Sequence, residues 1–333
     1  MNQNKEFNYK KKYLLTGSSG LLGKALTNLI DKDCIYIPDS KQLNLLEKQQ
    51  TEKYIASFEC VDGQGLYNKI NCVFHLAAKV GGVKANSDAL GTFYHDNIMI
   101  NSNLLESCVK YSVPKVVSVL STCIYPDAPY VLYPLSEEQL HMGPPHDSNF
   151  GYAYAKRMLD VQTRAYRKQY GVKYITVIPN NLFGEHDNFH LEDGHVIPAL
   201  MRKIWEAKLN NNPTVEIWGD GSPLREFTYS GDVARILLKV AEEYNEEMPL
   251  NIGNTEEHSI ASVAKKLVEY LEYDGKLVFN TDKPSGQFRK PSSNKRLLEK
   301  TSWNLEDYTP FDIGLKKTCE WFKTTYPNIR GIK

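Results

Sequence analysis

Tyr152 and Lys156 stand four residues apart in "GYAYAKRM" (151–158). On a helix that spacing puts both side chains on one face. An ammonium beside a phenol stabilises the tyrosinate and lowers a pKa that is otherwise ~10. Such a phenol exchanges a proton with a sugar oxygen during hydride transfer. Tyr154 lies between them in the chain but faces away from Lys156. Upstream, "STCIYP" (121–126) follows an apolar strand pattern, so Ser121 falls where open α/β sheets bind ligands. Ser121, Tyr152 and Lys156 can thus form one hydrogen-bonded set. Cys123 sits two residues past Ser121. Its type alone reads as a small apolar residue closing the strand.

A second chemical signal is "TGSSGLLG" (16–23), with Gly17, Gly20 and Gly23 spaced GxxGxxG between a strand pattern and a helix pattern. Gly17 allows a tight turn, Gly20 lets backbone approach a pyrophosphate, and Gly23 lets helix pack on strand. The pattern predicts a dinucleotide. Which one depends on the residue after the second strand, where "PDSKQLN" (38–44) offers Asp39 and Lys41. An acid there favours NAD and a base accommodates the extra phosphate of NADP. The reading favours NADP(H) through Lys41.

His186, His190 and His195 crowd one segment, and spacing does not choose among them. His75 lies within a strand pattern and reads as structural. Lys79 follows that strand, open to a cofactor or a structural role.

The elements that must position these groups alternate. Strand patterns occur at 13–17, 34–38, 72–78, 115–121 and 172–180, and helical spacing at 21–31, 45–58, 91–111 and 152–170. The strands at 72–78 and 115–121 are apolar without polar alternation, as buried parallel strands are. The expectation is an α/β fold with a doubly wound parallel sheet and a smaller α/β lobe. After Asn180 the pattern loosens, with helices near 194–208, 231–244, 259–272 and 311–324 and short strands at 215–219 and 277–279. The expected division is a cofactor-binding domain at 10–180 with a return segment at 229–254. A substrate lobe takes 181–228 and 255–331. Residues 59–69 read as a loop insertion and 1–12 as a polar, frayed start.

The 333 residues carry 40 Lys+Arg and 40 Asp+Glu, so no global basic field attracts nucleic acid. No apolar run approaches a membrane helix, and the first residues lack a signal-peptide apolar core; a cytoplasmic location is expected. Six scattered cysteines without a CxxC pair argue against a disulfide framework and give no support for a metal. Cys34, Cys72 and Cys108 read as buried filler.

With its glycine loop, its Tyr152–Lys156 pair and Ser121, the chain resembles the extended short-chain dehydrogenase/reductase superfamily. Within it the chain resembles the GDP-L-fucose synthases most. The motifs are "TGSSGLLG", "HLAAKVGG" (75–82), "STCIYP", "PPHDSNFGYAYAKRM" (144–158), "GEHDNFHLEDGHVIPAL" (184–200), "WGDGSPLREF" (218–227) and "SGQFRK" (285–290). They span nearly the whole chain in order.

The resemblance implies a cytosolic homodimer that uses NADPH. It implies that GDP-4-keto-6-deoxy-D-mannose is epimerised at C3 and C5 and then reduced at C4, all in one site. Ser121, Tyr152 and Lys156 match the family triad, Cys123 the epimerisation base and His195 the acid. Cofactor contacts carry over to Gly17, Ser18, Ser19, Gly20, Leu21, Leu22, Gly23, Lys41, Lys156, Pro179, Asn180, Asn181, Leu182 and His195. Lys203, Trp218 and Arg225 match substrate-binding positions. Arg289 either adds to that pocket or belongs to a solvated basic run. Two positions depart from the pattern: Lys203 stands where arginine is an option, and Ser285 where related enzymes can carry Asp. The alternatives are another nucleotide-sugar epimerase or dehydratase, or a non-catalytic NADP-binding regulatory subunit.

Overall fold

The computed structural model describes residues 11–58, 69–127, 129–283 and 288–332. The first ten residues, Cys60, Ser285 and all but the last residue of the expected 59–69 loop lie outside the described residues.

Six strands build the main sheet: β1 (Tyr13–Thr16), β2 (Ile35–Tyr36), β3 (Cys72–His75), β4 (Lys115–Val119), β5 (Lys173–Pro179) and a late strand (Leu250–Ile252) that joins it at the edge. Their order is β2-β1-β3-β4-β5 and then the late strand, all parallel. Consecutive strand residues enter opposite cores. Leu14, Val73, Val116 and Tyr174 join one cluster, and Leu15, Phe74, Val117 and Ile175 the other. Period-two geometry with helices on both faces leaves no polar face, which is why these strands read as continuous apolar runs. Each buried aliphatic side chain contributes roughly 1.5–3 kcal/mol.

Seven helices bear directly on the sheet or the site: α1 (Leu21–Thr27), α2 (Lys48–Ala56), α3 (Val83–Asp88), α4 (Leu90–Lys110), α5 (Phe150–Tyr170), α6 (Val196–Leu209) and α7 (Ser230–Glu243). Three further helices follow, α8 (Ile260–Tyr270), α9 (Lys295–Lys300) and α10 (Phe311–Thr325). α5 ends at Gly171, whose φ of 68° is the left-handed conformation a helix stop requires.

Several bounds differ from the sequence expectation. The first helix stops at Thr27 rather than continuing to 31. The second strand shrinks to Ile35–Tyr36, because Lys32–Cys34 coil into a 3-10 turn. The helix expected at 91–111 begins at Leu90 and has the short α3 before it.

Beyond β5 come β6 (Asn181–Phe183), β7 (Thr214–Trp218) and β8 (Leu224–Tyr229). With β9 the Leu250–Ile252 strand, β10 (Glu257–Ser259) and β11 (Lys276–Asn280) complete the set. They form two small sheets, β10-β8-β6 and β11-β7, over a third core with α6, α8 and α10.

One buried carboxylate knits this region to the main sheet. Glu226 on β8 accepts from the Ser292 amide (2.9 Å), the Ser292 hydroxyl (2.6 Å) and the Asn180 amide (3.3 Å). Asn180 also donates to the Asn254 carbonyl and accepts from Thr228. Glu226→Ala would leave the Ser292 amide and hydroxyl buried and unpaired. It is expected to lower the unfolding free energy by about 1–3 kcal/mol in denaturant titrations, and an unchanged midpoint would remove Glu226 from that role.

Candidate active site

After Val119 the chain makes one last sheet bond, Leu120 N–H to the Val177 carbonyl (2.8 Å), and leaves the sheet. Ser121 is extended and caps a 3-10 turn, Thr122–Ile124; its Oγ accepts the Cys123 N–H at 3.4 Å. The buried Ile124 and Tyr125 anchor that turn. α5 is tied to it twice. Arg157 donates to the carbonyls of Ile124 (2.5 Å) and Gly143 (2.7 Å), and Lys156 Nζ donates to the Val119 carbonyl (2.8 Å). Gly151 permits the approach of α5 to α4, since a Cβ there would lie 2.4 Å from the Leu90 carbonyl oxygen. Tyr152 then comes one helical turn before Lys156, whose Nζ lies 5.9 Å from the centre of its ring. Tyr154 turns outward and stacks under Arg157.

Burial sets the protonation of this pocket. It pushes the Tyr152 phenol far up, helped by the neighbouring Cys123. It lowers Lys156 to about 8, against the pull of Cys123. It also raises the Cys123 thiol, opposed by the Ser121 hydrogen bond and by the Lys290 and Lys156 ammoniums. One expectation is corrected here. The lysine was expected to lower the phenol, but desolvation drives it up; at the thiol, desolvation outweighs the pull of the cations.

In the glycine loop, Gly17 has φ of 75°, and a Cβ on it would lie 2.7 Å from the Ala77 nitrogen. A Cβ on Gly23 would lie 2.2 Å from the Gly17 oxygen. Both are required by packing. Gly20 is not: its φ is −80°, and a Cβ there would meet nothing closer than 3.5 Å. Its bare face opens outward, which fits a ligand brought against the backbone. Ser18, Ser19, Leu21 and Leu22 complete the loop and the first turn of α1. Asp39 is engaged in its own turn, accepting the N–H groups of Lys41 and Gln42 at 2.9 Å, and the Lys41 side chain is left exposed. These residues fit a dinucleotide with an added ribose phosphate.

Pro179, Asn180, Asn181 and Leu182 pass from β5 into β6 beside the strand ends. The Asn180 side-chain amide is taken by Glu226, Asn254 and Thr228, which leaves its backbone as the part that faces a cofactor. Lys79, for which both roles were open, pairs with Asp96 at 2.8 Å. His75 is buried between Thr16 and Asn101 (both 3.0 Å) and lowered by burial to about 3, a neutral structural group.

The three histidines now separate. His186 packs on Trp321, with ring centres 4.8 Å apart. His190 accepts the Asp193 N–H at 3.1 Å. His195 is exposed and caps α6 through its backbone. Burial raises the nearby Asp187 carboxyl, against the pull of His195 and Arg330.

Cations line the other side. Trp218 is 57% exposed, with Lys203 Nζ 5.5 Å and Lys283 Nζ 5.8 Å from its ring. Arg225 is half-buried and bonds the Leu224 carbonyl. Arg289, for which a pocket role and a solvated one were both open, forms a two-pronged pair with Glu257. Its neighbour Lys290 turns inward instead, acting on Cys123 and feeling Arg225. Lys283 and Lys290 escaped the sequence reading. Leu224 N–H bonds the Phe288 carbonyl at 2.9 Å, which holds this segment against β8, and nothing in the sequence separates Lys290 from the neighbouring Arg289. No helix among the described residues is long and apolar enough to cross a membrane, and none of their His, Cys, Asp and Glu side chains cluster as a metal site.

Residues 13–253 match the family model "NAD dependent epimerase/dehydratase family". A GDP-L-fucose synthase of Dictyostelium discoideum is 42% identical over 328 residues, covering 96% of this chain and 98% of that protein. One from Escherichia coli K12 is 32% identical, covering 97% and 99%. The crystal structure of a GDP-L-fucose synthetase from Naegleria fowleri bound to NADP superposes with a TM-score of 0.86 at 38% identity, covering 97% of this chain and 95% of that one.

Lys290→Met should move the titration of Cys123 upward, because the thiolate loses a nearby cation while burial is kept. Iodoacetamide labelling of Cys123 against pH reads this directly. A curve that overlays wild type would place the Lys290 charge out of reach of the sulfur.

Proposed function

The chain belongs to the NAD dependent epimerase/dehydratase family, and from that premise we propose that it makes GDP-L-fucose. GDP-4-keto-6-deoxy-D-mannose is epimerised at C3 and C5 and then reduced at C4 with NADPH. The observation that carries this reading is a thiol inside the reductive pocket. Cys123 shares one enclosure with Ser121, Tyr152 and Lys156. A 4,6-dehydratase would be expected to carry an Asp-Glu pair at 122–123, where this chain has Thr122 and Cys123. A regulatory subunit would have no use for an assembled Tyr–Lys pair.

Each residue then has a task. The protons at C3 and C5 lie α to the C4 carbonyl. The Cys123 thiolate removes them, and the enolate oxygen is held by the Ser121 and Tyr152 hydroxyls. His195, at the start of α6, returns protons from the opposite face. Bound NADPH supplies the hydride for C4. Tyr152 gives its proton to O4, and the Lys156 ammonium over its ring stabilises the tyrosinate left behind. The high phenol pKa keeps that proton available at neutral pH.

The cofactor would be held by the loop from Gly17 to Gly23, by Lys41 and Lys156, by the backbone of Pro179–Leu182, and by His195. Lys203, Trp218, Arg225 and Lys290 would hold the nucleotide diphosphate, with the cations on phosphate and the indole against base or ribose. The division of labour places the cofactor on 10–180 with 229–254, since β9 extends the main sheet. The sugar nucleotide falls to 181–228 and 255–331. A homodimer belongs to the same proposal. Tyr154, Met158 and Val161 form an exposed stripe on α5 with helical spacing that a second copy would cover. A cytoplasmic location accords with the free thiols of all five described cysteines.

Incubation with GDP-4-keto-6-deoxy-D-mannose and NADPH should yield GDP-L-fucose, identified by NMR. Tyr152→Phe should slow NADPH oxidation about a hundredfold or more, while Tyr154→Phe leaves it near wild type. A product of different stereochemistry, or the reverse order of the two variants, would overturn the reading.

A further inference from the structure

The segment 326–332 folds back against the stretch that carries His195. The Phe189 N–H bonds the Arg330 carbonyl at 2.9 Å, and Arg202 donates to the carbonyls of both Phe189 (3.2 Å) and Gly331 (2.9 Å). Gly331, at φ of 91°, lies flush on this stretch; a Cβ there would lie 2.3 Å from the His190 nitrogen. Ile329 is buried beside it in the third core. The backbone of Arg330 is therefore fixed. Its side chain is exposed and makes no hydrogen bond among the described residues. It reaches across to the glycine loop, where its Nη1 lies 3.9 Å from the point a Gly20 Cβ would occupy. Ser19, Lys24, His186, Trp321 and Arg330 line a cavity of about 280 Å³ between the loop and this segment.

Two observations meet at this place. Gly20 is the loop glycine that neither backbone angle nor packing requires. Arg330 is a fixed cation on its open side, near enough to the buried Asp187 carboxyl to pull on it but with no hydrogen bond among the described residues. A bare backbone beside a guanidinium is suited to phosphate, since the guanidinium fork offers two parallel N–H bonds to phosphate oxygens.

We propose that Arg330 is a cofactor-binding residue, a guanidinium brought from the far end of the chain to the pyrophosphate of the dinucleotide over Gly20. This rests on the proposed use of NADPH. It extends the cofactor site to the segment 326–332, close to the end of the described residues. It also joins that site to the histidine segment through one stretch of backbone, so the group that holds the phosphates and the segment that leads to His195 are fixed together.

Fluorescence titration of the full-length protein tests this with three ligands: NADPH, 2′-phospho-ADP-ribose and adenosine 2′-monophosphate. The first two carry the pyrophosphate and the third does not. Arg330→Ala should weaken NADPH and 2′-phospho-ADP-ribose about tenfold each and leave adenosine 2′-monophosphate unchanged. Arg330→Lys should recover part of the loss, and the salt dependence of NADPH binding should flatten in Arg330→Ala. The inference is overturned if Arg330→Ala binds NADPH within twofold of wild type, or if all three ligands weaken alike, which would mark a structural role. If wild type itself failed to bind NADPH, the cofactor reading would fall, a result distinct from either.

Discussion

Desolvation at the carboxyl end of β4 is the constraint on which the site depends. A thiol, a phenol and an amine share one enclosure there, and burial opposes the charged form of each. The phenol stays protonated, the thiol is driven toward its neutral form, and the amine titrates near 8. The two halves of the proposed chemistry ask opposite things of this pocket. Proton abstraction needs the thiol charged, and reduction needs the phenol neutral. Uniform burial would favour only the second. The cations Lys156 and Lys290 and the Ser121 hydroxyl oppose that burial at the sulfur, and this lets one pocket serve both steps.

The rest of the architecture holds the enclosure shut. α5 is pinned by Lys156 to the end of β4 and by Arg157 to the turn beyond it. Lys156 has two roles at once, since the bond that positions its ammonium also fixes the helix that carries Tyr152. On the opposite side, Glu226 and Asn180 bind β8 and the 292 segment to the edge of the main sheet. Lys290 is two residues from Ser292 and Arg225 is next to Glu226 in the chain, so this buried network also sets where those cations stand.

What was legible in the sequence follows from local geometry. Buried parallel strands announce themselves because both faces are apolar, and an i, i+4 pair on a helix has one possible relation. The adjacency of Ser121, Cys123, Tyr152 and Lys156 needed only a strand end and a helix face. Long-range pairing was not legible. Arg289 and Lys290 are alike in type, and only the presence of Glu257 outside and Cys123 inside separates them. That the Asn180 amide is held by Glu226, Thr228 and Asn254 could not be read from the chain either. The protonation of Tyr152 was misjudged for the same reason. Neighbouring charges can be counted in a sequence, whereas the depth of burial that outweighs them cannot.

The central claim is that Cys123 is the base that labilises the protons beside the ketone. Exchange of those protons needs no net oxidation or reduction, so it can be followed without NADPH. GDP-4-keto-6-deoxy-D-mannose incubated in D₂O with wild-type protein should gain deuterium at C3 and C5 in the NMR spectrum. Cys123→Ser, with a far weaker base in the same space, should show no such gain and retain wild-type affinity for NADPH. Deuterium entering at the wild-type rate in Cys123→Ser would contradict the account and return Cys123 to the role of a small residue closing a strand.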